Sequence, residues 1–161
     1  MTKLFEYYNI SDPALAACHD DFWQAETFTP RVPHTITSVK LRLYRVGSPG
    51  EITVSIKAVA VGGEPDGADL ADGTTDGDTL PTAYAGEERV IDLGAGTALG
   101  ATTEYAIVVR ALSADADNYV RWRHSTEKVY PRGSHWFSSD AGATWEEDTT
   151  RDMMFSEYGT P

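Results

Sequence analysis

Short segments in which apolar and polar residues alternate recur along the whole chain, and they constrain its fold more than any other feature. The clearest is ITSVKLRLYRV at 36–46, where Val39, Leu41 and Leu43 share one face of an extended backbone. Clusters of Gly, Pro and Asp separate these segments, and no long window shows the apolar period of a helix. The sequence therefore predicts an all-β protein, a single antiparallel β-sandwich or jelly roll of about nine or ten strands.

The clearest strand candidates follow from this alternation. They cover residues 4–8, 22–28, 36–46, 51–61, 88–93, 104–112, 118–125, 134–140 and 152–159. The turn sequence GSPG at 47–50 predicts a hairpin between its two flanking strands, with Ala58 on the inner face of the second. Segment 104–112 is apolar on both faces and should be a central strand. Residues 15–18, LAAC, are expected to form a short helical turn.

Length and charge limit the domain count and the partners. The 161 residues suit one domain spanning 1–161, with a docking arm at 1–9 as a further expectation. The formal net charge of −12 repels nucleic-acid phosphates and anionic lipid, so neither nucleic acid nor a membrane is expected as a partner. The chain begins at Met1 without the pattern of an export signal, which favours a free-standing protein.

The acidic segment at 62–81 raises the question of a metal ion. It carries six acidic residues and no basic one, and its composition predicts a long surface loop. Calcium prefers several oxygen ligands on a bent backbone, which makes calcium in this loop one alternative. Neither an EF-hand loop nor a glycine-rich calcium repeat is present, so we favour a solvated loop and expect no cofactor.

The octet SSDAGATW at 138–145 matches the Asp-box pattern S-x-D-x-G-x-T-W, known from sialidases and other repeat proteins. The five pattern positions are Ser138, Asp140, Gly142, Thr144 and Trp145. An aspartate in a turn accepts backbone hydrogen bonds, a glycine supplies a positive φ, and a tryptophan covers the reversal. A sialidase needs a complete propeller and acids from several blades, so the octet predicts a structural hairpin. We expect no catalytic residues and no enzymatic activity.

Aromatic side chains offer a second kind of site. Trp122, Tyr130 and Trp136 are the candidates for a glycan-stacking platform, although burial in the sandwich core is the favoured interpretation. Arg121 and Arg123 alternate with Trp122 and should share the face opposite to it. These arginines either bind an acidic partner or pair with the surplus carboxylates of the chain, and the sequence leaves both alternatives open.

Several quoted segments together resemble a known family. They are FWQAETFTP (22–30), ITSVKLRLYRVGSPGEITVSI (36–56), GTALGATTEYAIVV (96–109), YVRWR (119–123), SSDAGATW (138–145) and DMMFSEYG (152–159). In this order they resemble the choice-of-anchor type of β-sandwich module, which is similar to carbohydrate-binding jelly rolls. The resemblance covers most of the chain after residue 20 and concerns mainly core and turn positions. It implies the fold more strongly than a function.

The resemblance also implies a class of function, because such modules occur in microbial surface proteins and phage virion proteins and are not known as enzymes. We expect a virion structural protein, such as a capsid decoration or cement protein or a tail component. Its expected partners are the viral major capsid protein, other virion proteins and further copies of itself. The alternative is an extracellular adhesion module that recognises a cell-surface glycan.

The N-terminal residues are the expected docking element of such a protein. Leu4, Phe5, Tyr7 and Tyr8 are unusually apolar for a terminus. An ordinary edge strand at the margin of the sandwich is the alternative interpretation of the same residues.

Overall fold

The computed structural model describes residues 1–10 and 14–161, which fold into twelve β-strands and a single-turn 3-10 helix at Gly77–Thr79. The strands are β1 (Lys3–Tyr8), β2 (Ala14–Cys18), β3 (Trp23–Phe28), β4 (His34–Val46), β5 (Glu51–Val59), β6 (Pro65–Asp76), β7 (Glu87–Leu99), β8 (Tyr105–Arg110), β9 (Tyr119–His124), β10 (His135–Ser138), β11 (Glu146–Asp148) and β12 (Phe155–Thr160). The predicted all-β class is confirmed, with twelve strands instead of nine or ten.

Two six-stranded antiparallel sheets pack face to face as a sandwich. The first sheet has the order β1-β12-β4-β9-β2, with β7 also paired to β4. The second has the order β11-β10-β3-β8-β5-β6. Because β7 pairs along positions 34–43 of β4, the opposite edge of β4 is shared by β12, at 35–41, and β9, at 43–46. Strand β4 is therefore the central strand of the first sheet and pairs with three other strands.

Alternation along the strands builds the core between the sheets, as the sequence predicts. Its fully buried residues from β4 and β5 are Ile36, Val39, Leu41, Leu43, Ile52, Val54 and Ile56. Burying one such side chain stabilises the fold by about 1.5–3 kcal/mol relative to leaving it exposed. Strand β8 lies inside the second sheet, which confirms the prediction of a central strand. Its Ile107 and Val109 join the main core, whereas Ala106 and Val108 form a smaller cluster on the outer face.

The predicted hairpin between β4 and β5 is wrong, because the two strands belong to different sheets. Residues 47–50 cross from one sheet to the other, and Gly47 and Gly50 supply the positive φ angles, +64° and +72°, that this path needs. Ala58 was expected on the inner face but is exposed, since the register with β6 shifts between Ile56 and Ala58.

Two further predictions of local structure are corrected. Residues 15–18 lie in a strand, β2, and not in a helical turn, because β9 offers them a pairing edge. Most of the acidic segment 62–81 is also a strand, β6, instead of a loop. It pairs with β5 at the margin of the second sheet, where its aspartates can face solvent. In residues 1–10 and 14–161 no helix is long and apolar enough to span a membrane.

Candidate docking surface

The first candidate site is β1, which forms the margin of the first sheet and, among residues 1–10 and 14–161, is paired with β12 alone. The segment 3–8 is therefore an integral edge strand, in line with the second of the two sequence interpretations. Its register with β12 shifts between Leu4 and Glu6, which places Phe5 in a bulge. Such bulges are common at sheet edges, where they limit further strand pairing.

The four predicted docking residues differ in their exposure to solvent. Leu4 and Tyr7 are 42% and 53% exposed, so both present apolar surface to solvent. Phe5 is half-buried and stacks on His34, with the two ring centres 3.7 Å apart and the planes 3° from parallel. Tyr8 is buried in the main core. Two of the residues therefore anchor β1 and two remain available to a partner.

A buried carboxylate, Glu6, holds β1 in place. It accepts hydrogen bonds from the Tyr130 hydroxyl at 3.1 Å and from the Arg31 backbone N–H at 3.3 Å, and it forms an ion pair with Arg132. Its own backbone N–H donates to Glu157 Oε1 at 3.1 Å. Burial and then the negative charge of Glu6 raise the pKa of Tyr130. Sequence reasoning missed Glu6, although an acid among apolar strand residues was the available signal.

A groove runs beside this anchored strand. It has a volume of about 290 Å³ and is lined by positions 5–10, Arg31 and positions 129–132. The exposed Tyr7 lies at this groove, and so does the half-buried ring of Phe5. Apolar rings and arginine side chains thus border one concave surface next to an open strand edge, which is suited to accepting a side chain of a docking partner.

The proposed glycan platform is corrected by the burial of its rings. Trp122 is fully buried, and its indole N–H donates 2.7 Å to the Met154 carbonyl. Tyr130 is buried against Glu6, as described above. Trp136 is also buried, but in the outer cluster of the second sheet. The three rings serve two separate apolar clusters, so they do not form an exposed surface on which a sugar could stack.

The octet at 138–145 folds as a closed turn between β10 and β11, and the predicted hairpin is present. Ser138 Oγ donates 2.8 Å to Asp140 Oδ1 and accepts a 2.8 Å hydrogen bond from the Gly142 backbone N–H. Asp140 accepts two further hydrogen bonds from Thr144, from its backbone N–H at 2.8 Å and from its hydroxyl at 2.6 Å. These bonds from Thr144, and then that from Ser138, lower the pKa of Asp140.

The apolar side of this turn packs on the second sheet. The rings of Trp145 and Trp23 meet edge to face, with centres 6.4 Å apart and planes 60° apart. Gly142 has a φ of +80° and lies against Trp23. The hydrogen bonds of Ser138 and Asp140 stay within the turn, and the Ala141 backbone N–H donates to the Asp21 carbonyl at 3.0 Å, so the octet has a structural role.

The aspartates of β6 are spread along an extended strand. Asp69 forms ion pairs with Lys57 at 2.9 Å and with Arg110 at 2.7 Å. In the part of the chain that the structure describes, no group of three or more His, Cys, Asp or Glu side chains is arranged to hold a metal ion. The alternative of a calcium loop at 62–81 therefore gains no support from the geometry.

Comparisons with known proteins do not assign the chain to a family. A scan against models of protein families finds none that matches. A search among curated proteins finds no significant relative. The resemblance to choice-of-anchor modules and the relation of the octet to Asp-boxes therefore stay predictions, whereas the β-sandwich is observed.

Proposed function

We propose that this protein is a non-enzymatic structural protein of a virion, a capsid decoration or cement protein or another component of the particle surface. The observation that carries the proposal is the edge strand β1, which is anchored by the buried Glu6 and leaves Leu4 and Tyr7 exposed. The resemblance of the sequence to modules found in phage virion proteins supports the same assignment.

The edge of β1 offers two kinds of contact. An edge strand presents unpaired backbone N–H and C=O groups that a strand of another chain can pair with. Leu4 and Tyr7 add apolar side chains, and the groove of about 290 Å³ at Tyr7 can receive a side chain of the partner. The bulge at Phe5 shortens the regular edge, which limits pairing to a partner of matching shape.

On a virion surface, many copies of a contact that is weak by itself can together give stable binding. A standard protein interface buries roughly 800 Å² per partner, and one β1 edge with its groove could supply part of that area. On a lattice, contacts to the major capsid protein and to neighbouring copies of this protein act together, so that the avidity exceeds the affinity of a single contact. We therefore propose the major capsid protein and further copies of the same chain as partners.

The test is rebinding to virus particles stripped of surface proteins. Wild-type protein should sediment with the particles, and the double variant Leu4→Ser/Tyr7→Ser should bind at least about tenfold more weakly. The matched control is Val90→Ser/Leu112→Ser, which removes two apolar side chains that are 57% and 60% exposed elsewhere. The control should bind like wild type. Equal binding of both double variants would overturn docking through β1.

A further inference from the structure

A lysine and two buried carboxyl groups meet at one place in the sandwich. Glu26 lies on β3, Lys128 lies in the segment between β9 and β10, and Asp152 lies in the segment between β11 and β12. Lys128 Nζ is 3.0 Å from Asp152 Oδ1. The side chains of Glu26 and Asp152 are fully buried, whereas that of Lys128 is partly exposed. An amine is therefore held against a carboxyl group that is shielded from bulk water.

The two oxygens of Asp152 have different surroundings. Oδ2 accepts hydrogen bonds from the backbone N–H groups of Val129, at 2.5 Å, and Tyr130, at 2.6 Å. Two fixed N–H groups that converge on one oxygen stabilise the negative charge that develops there when a nucleophile attacks the carboxyl carbon. Oδ1 instead faces the amine of Lys128. The carboxyl group is thus oriented with one oxygen as a future oxyanion and the other as a leaving group.

The amine of Lys128 is oriented by further acceptors. Its Nζ donates to the Gly133 carbonyl and, at 3.2 Å, to the Ser134 hydroxyl, in addition to Asp152. Groups held at contact distance in one orientation react as if their concentration were very high, with effective molarities of about 10⁵–10⁸ M in the best cases. Because burial penalises separated charges, it also favours transfer of a proton from the ammonium to the carboxylate.

Glu26 supplies an acid beside this pair. Its carboxyl group is in hydrogen-bond contact with that of Asp152, and such a contact between two acceptors requires a proton on one of them. Burial raises the pKa of Glu26, against the hydrogen bond from the Met153 backbone N–H, and the negative charge of Asp152 adds to the rise. The Met153 N–H donates to Glu26 Oε2 at 2.9 Å, so Oε1 is the oxygen that carries the proton. Glu26 is therefore placed as a general acid.

We propose that Lys128 and Asp152 become joined by an amide bond between their side chains, with Glu26 as the proton carrier. The ammonium group of Lys128 first transfers a proton to Asp152 Oδ1. The lone pair of Nζ then attacks Asp152 Cγ, and the negative charge on Oδ2 is held by the two backbone N–H groups. Glu26 donates its proton to Oδ1, the bond from Cγ to Oδ1 breaks, and the nitrogen returns a proton to Glu26.

The atoms and charges of this reaction balance. One ammonium and one carboxylate give one amide and one water molecule, and Glu26 ends in its starting state. The three protons of the ammonium group are accounted for, because one stays on the amide nitrogen, one leaves with Oδ1 and one replaces the proton that Glu26 gave. The reaction uses no oxidant or reductant, and it replaces a buried ion pair by a neutral group.

A second lysine and aspartate pair shows why contact alone is insufficient. Lys57 Nζ lies 2.9 Å from Asp69 Oδ1, which is as close as the pair at Lys128. The side chain of Asp69 is partly exposed, and its second neighbour is Arg110, at 2.7 Å. A guanidinium group keeps its proton at neutral pH, so Arg110 cannot act as Glu26 does. We expect Lys57 and Asp69 to remain an ion pair.

The amide bond would lock the second sheet near its margin. It would connect the segment before β10 to the segment before β12, so that β10 and β11 lie inside a covalently closed loop. A cross-link of this kind stabilises a fold mainly by reducing the conformational entropy of the unfolded chain. The inference concerns the interior of one chain, so it does not depend on the proposed virion role.

The test compares the intact masses of the purified wild-type protein and Lys128→Gln, since lysine and glutamine residues have nearly equal masses. The wild-type chain should be lighter by one water molecule. Trypsin does not cut after an acylated lysine, so residues 124–132 should be joined to residues 152–161 in one branched peptide. The matched control is Lys57→Gln, which should keep the mass loss.

Glu26→Gln tests the proton carrier, because glutamine keeps the shape of the acid but has no acidic proton. This variant should retain the water and lack the branched peptide, while cooperative thermal unfolding shows that it is folded. A cross-link of equal extent in Glu26→Gln would overturn the role of Glu26. Equal masses of the wild-type protein and Lys128→Gln, or a mass loss without the branched peptide, would overturn the cross-link itself, even where Glu26→Gln does not fold.

Discussion

Glu157 on β12 and His34 on β4 form a buried contact, with Glu157 Oε2 3.0 Å from His34 Nε2 and neither side chain exposed to solvent. His34 Nδ1 lies 3.0 Å from the Val32 carbonyl, which only accepts, so this nitrogen carries a proton and donates it. A second proton therefore lies between His34 Nε2 and Glu157 Oε2 and is shared by the two side chains. Burial raises the pKa of Glu157 to about 7, against the opposing effect of His34.

This contact predicts a loss of stability as the pH rises from about 4.5 to about 7. The pKa of Glu157 is raised from its ordinary 4.5 to about 7, so the folded state binds more protons than the unfolded chain between these values. The contribution of Glu157 to the free energy of unfolding therefore falls as the pH rises through this window, by about 3 kcal/mol. Glu157→Gln keeps the shape of the protonated acid and should remove this dependence.

The measurement is chemical denaturation of both proteins from pH 4 to pH 8.5, and the quantity of interest is the difference between their free energies of unfolding. This difference removes the contributions of groups common to both proteins. As the pH rises, the free energy of unfolding of the wild-type protein should fall relative to that of Glu157→Gln. A difference that is constant over the whole range would contradict the assignment of a shared proton to this pair.

His135 is predicted to stay neutral in mild acid. Burial lowers its pKa from 6.5 to about 3, although Asp148 opposes the shift. The Gln24 amide donates to the Ala17 carbonyl, so Gln24 Oε1 is the acceptor of the 2.7 Å hydrogen bond from His135 Nε2. Nitrogen-detected NMR at pH 5 should show an Nε2–H neutral ring. Titration with a midpoint near 6.5 would rule out this environment.

The contact between Gly142 and Trp23 predicts a steric cost in the octet turn. A Cβ atom at position 142 would lie 2.7 Å from Trp23 Cζ3, and the φ of +80° is unfavourable for alanine. Gly142→Ala should lower the free energy of unfolding by about 2–3 kcal/mol. Gly94→Ala is the matched control, because Gly94 has a φ of +63° but no heavy atom within 4 Å of its added Cβ.

The control isolates the packing contribution from the backbone contribution. Gly94→Ala should cost about 1 kcal/mol, which is the backbone strain alone. Chemical denaturation of the two variants gives both values. Equal losses at the two positions would show that Trp23 yields to the added methyl group and that the turn does not depend on this close contact.

The buried Glu6 is predicted to decide whether β1 stays on the sheet. Glu6→Ala leaves Arg132 and the Tyr130 hydroxyl without their buried acceptor, which should cost about 3 kcal/mol. Amide hydrogen exchange along Lys3–Tyr8 should accelerate more than exchange elsewhere. Glu88→Ala removes an exposed ion pair with Lys40 and should change the free energy of unfolding by less than about 1 kcal/mol. Unchanged exchange in β1 would contradict the anchoring role.

The fold class and the core faces could be predicted because they depend on local alternation. Val39, Leu41 and Leu43 are buried as their spacing indicates, and β8 is central because both of its faces are apolar. Alternation shows which side of a strand meets the core, but not which sheet the strand joins. The hairpin proposed at 47–50 failed for this reason, since β4 and β5 contribute to the same core from opposite sheets.

The sequence did not predict the elements that depend on partners far away along the chain. Residues 65–76 are rich in Asp and Gly, which disfavour strands, and they are held as β6 by pairing with β5. His34 and Glu157 are 123 positions apart, so no sequence pattern could bring them together. Strand β9 shows both cases: the spacing of Arg121 and Arg123 indicated a shared face, but the position of Tyr44 opposite Arg121 depends on the pairing of β4 with β9.

Quantitative mass spectrometry of purified virus particles tests the proposed virion role most directly. After density-gradient purification and a wash that removes loosely bound host proteins, we expect this chain to be present in a constant ratio to the major capsid protein. The ratio should correspond to many copies per particle, as repeated docking on a lattice requires. Absence of the chain from infectious particles, while it remains abundant in the infected cell, would contradict the proposed function.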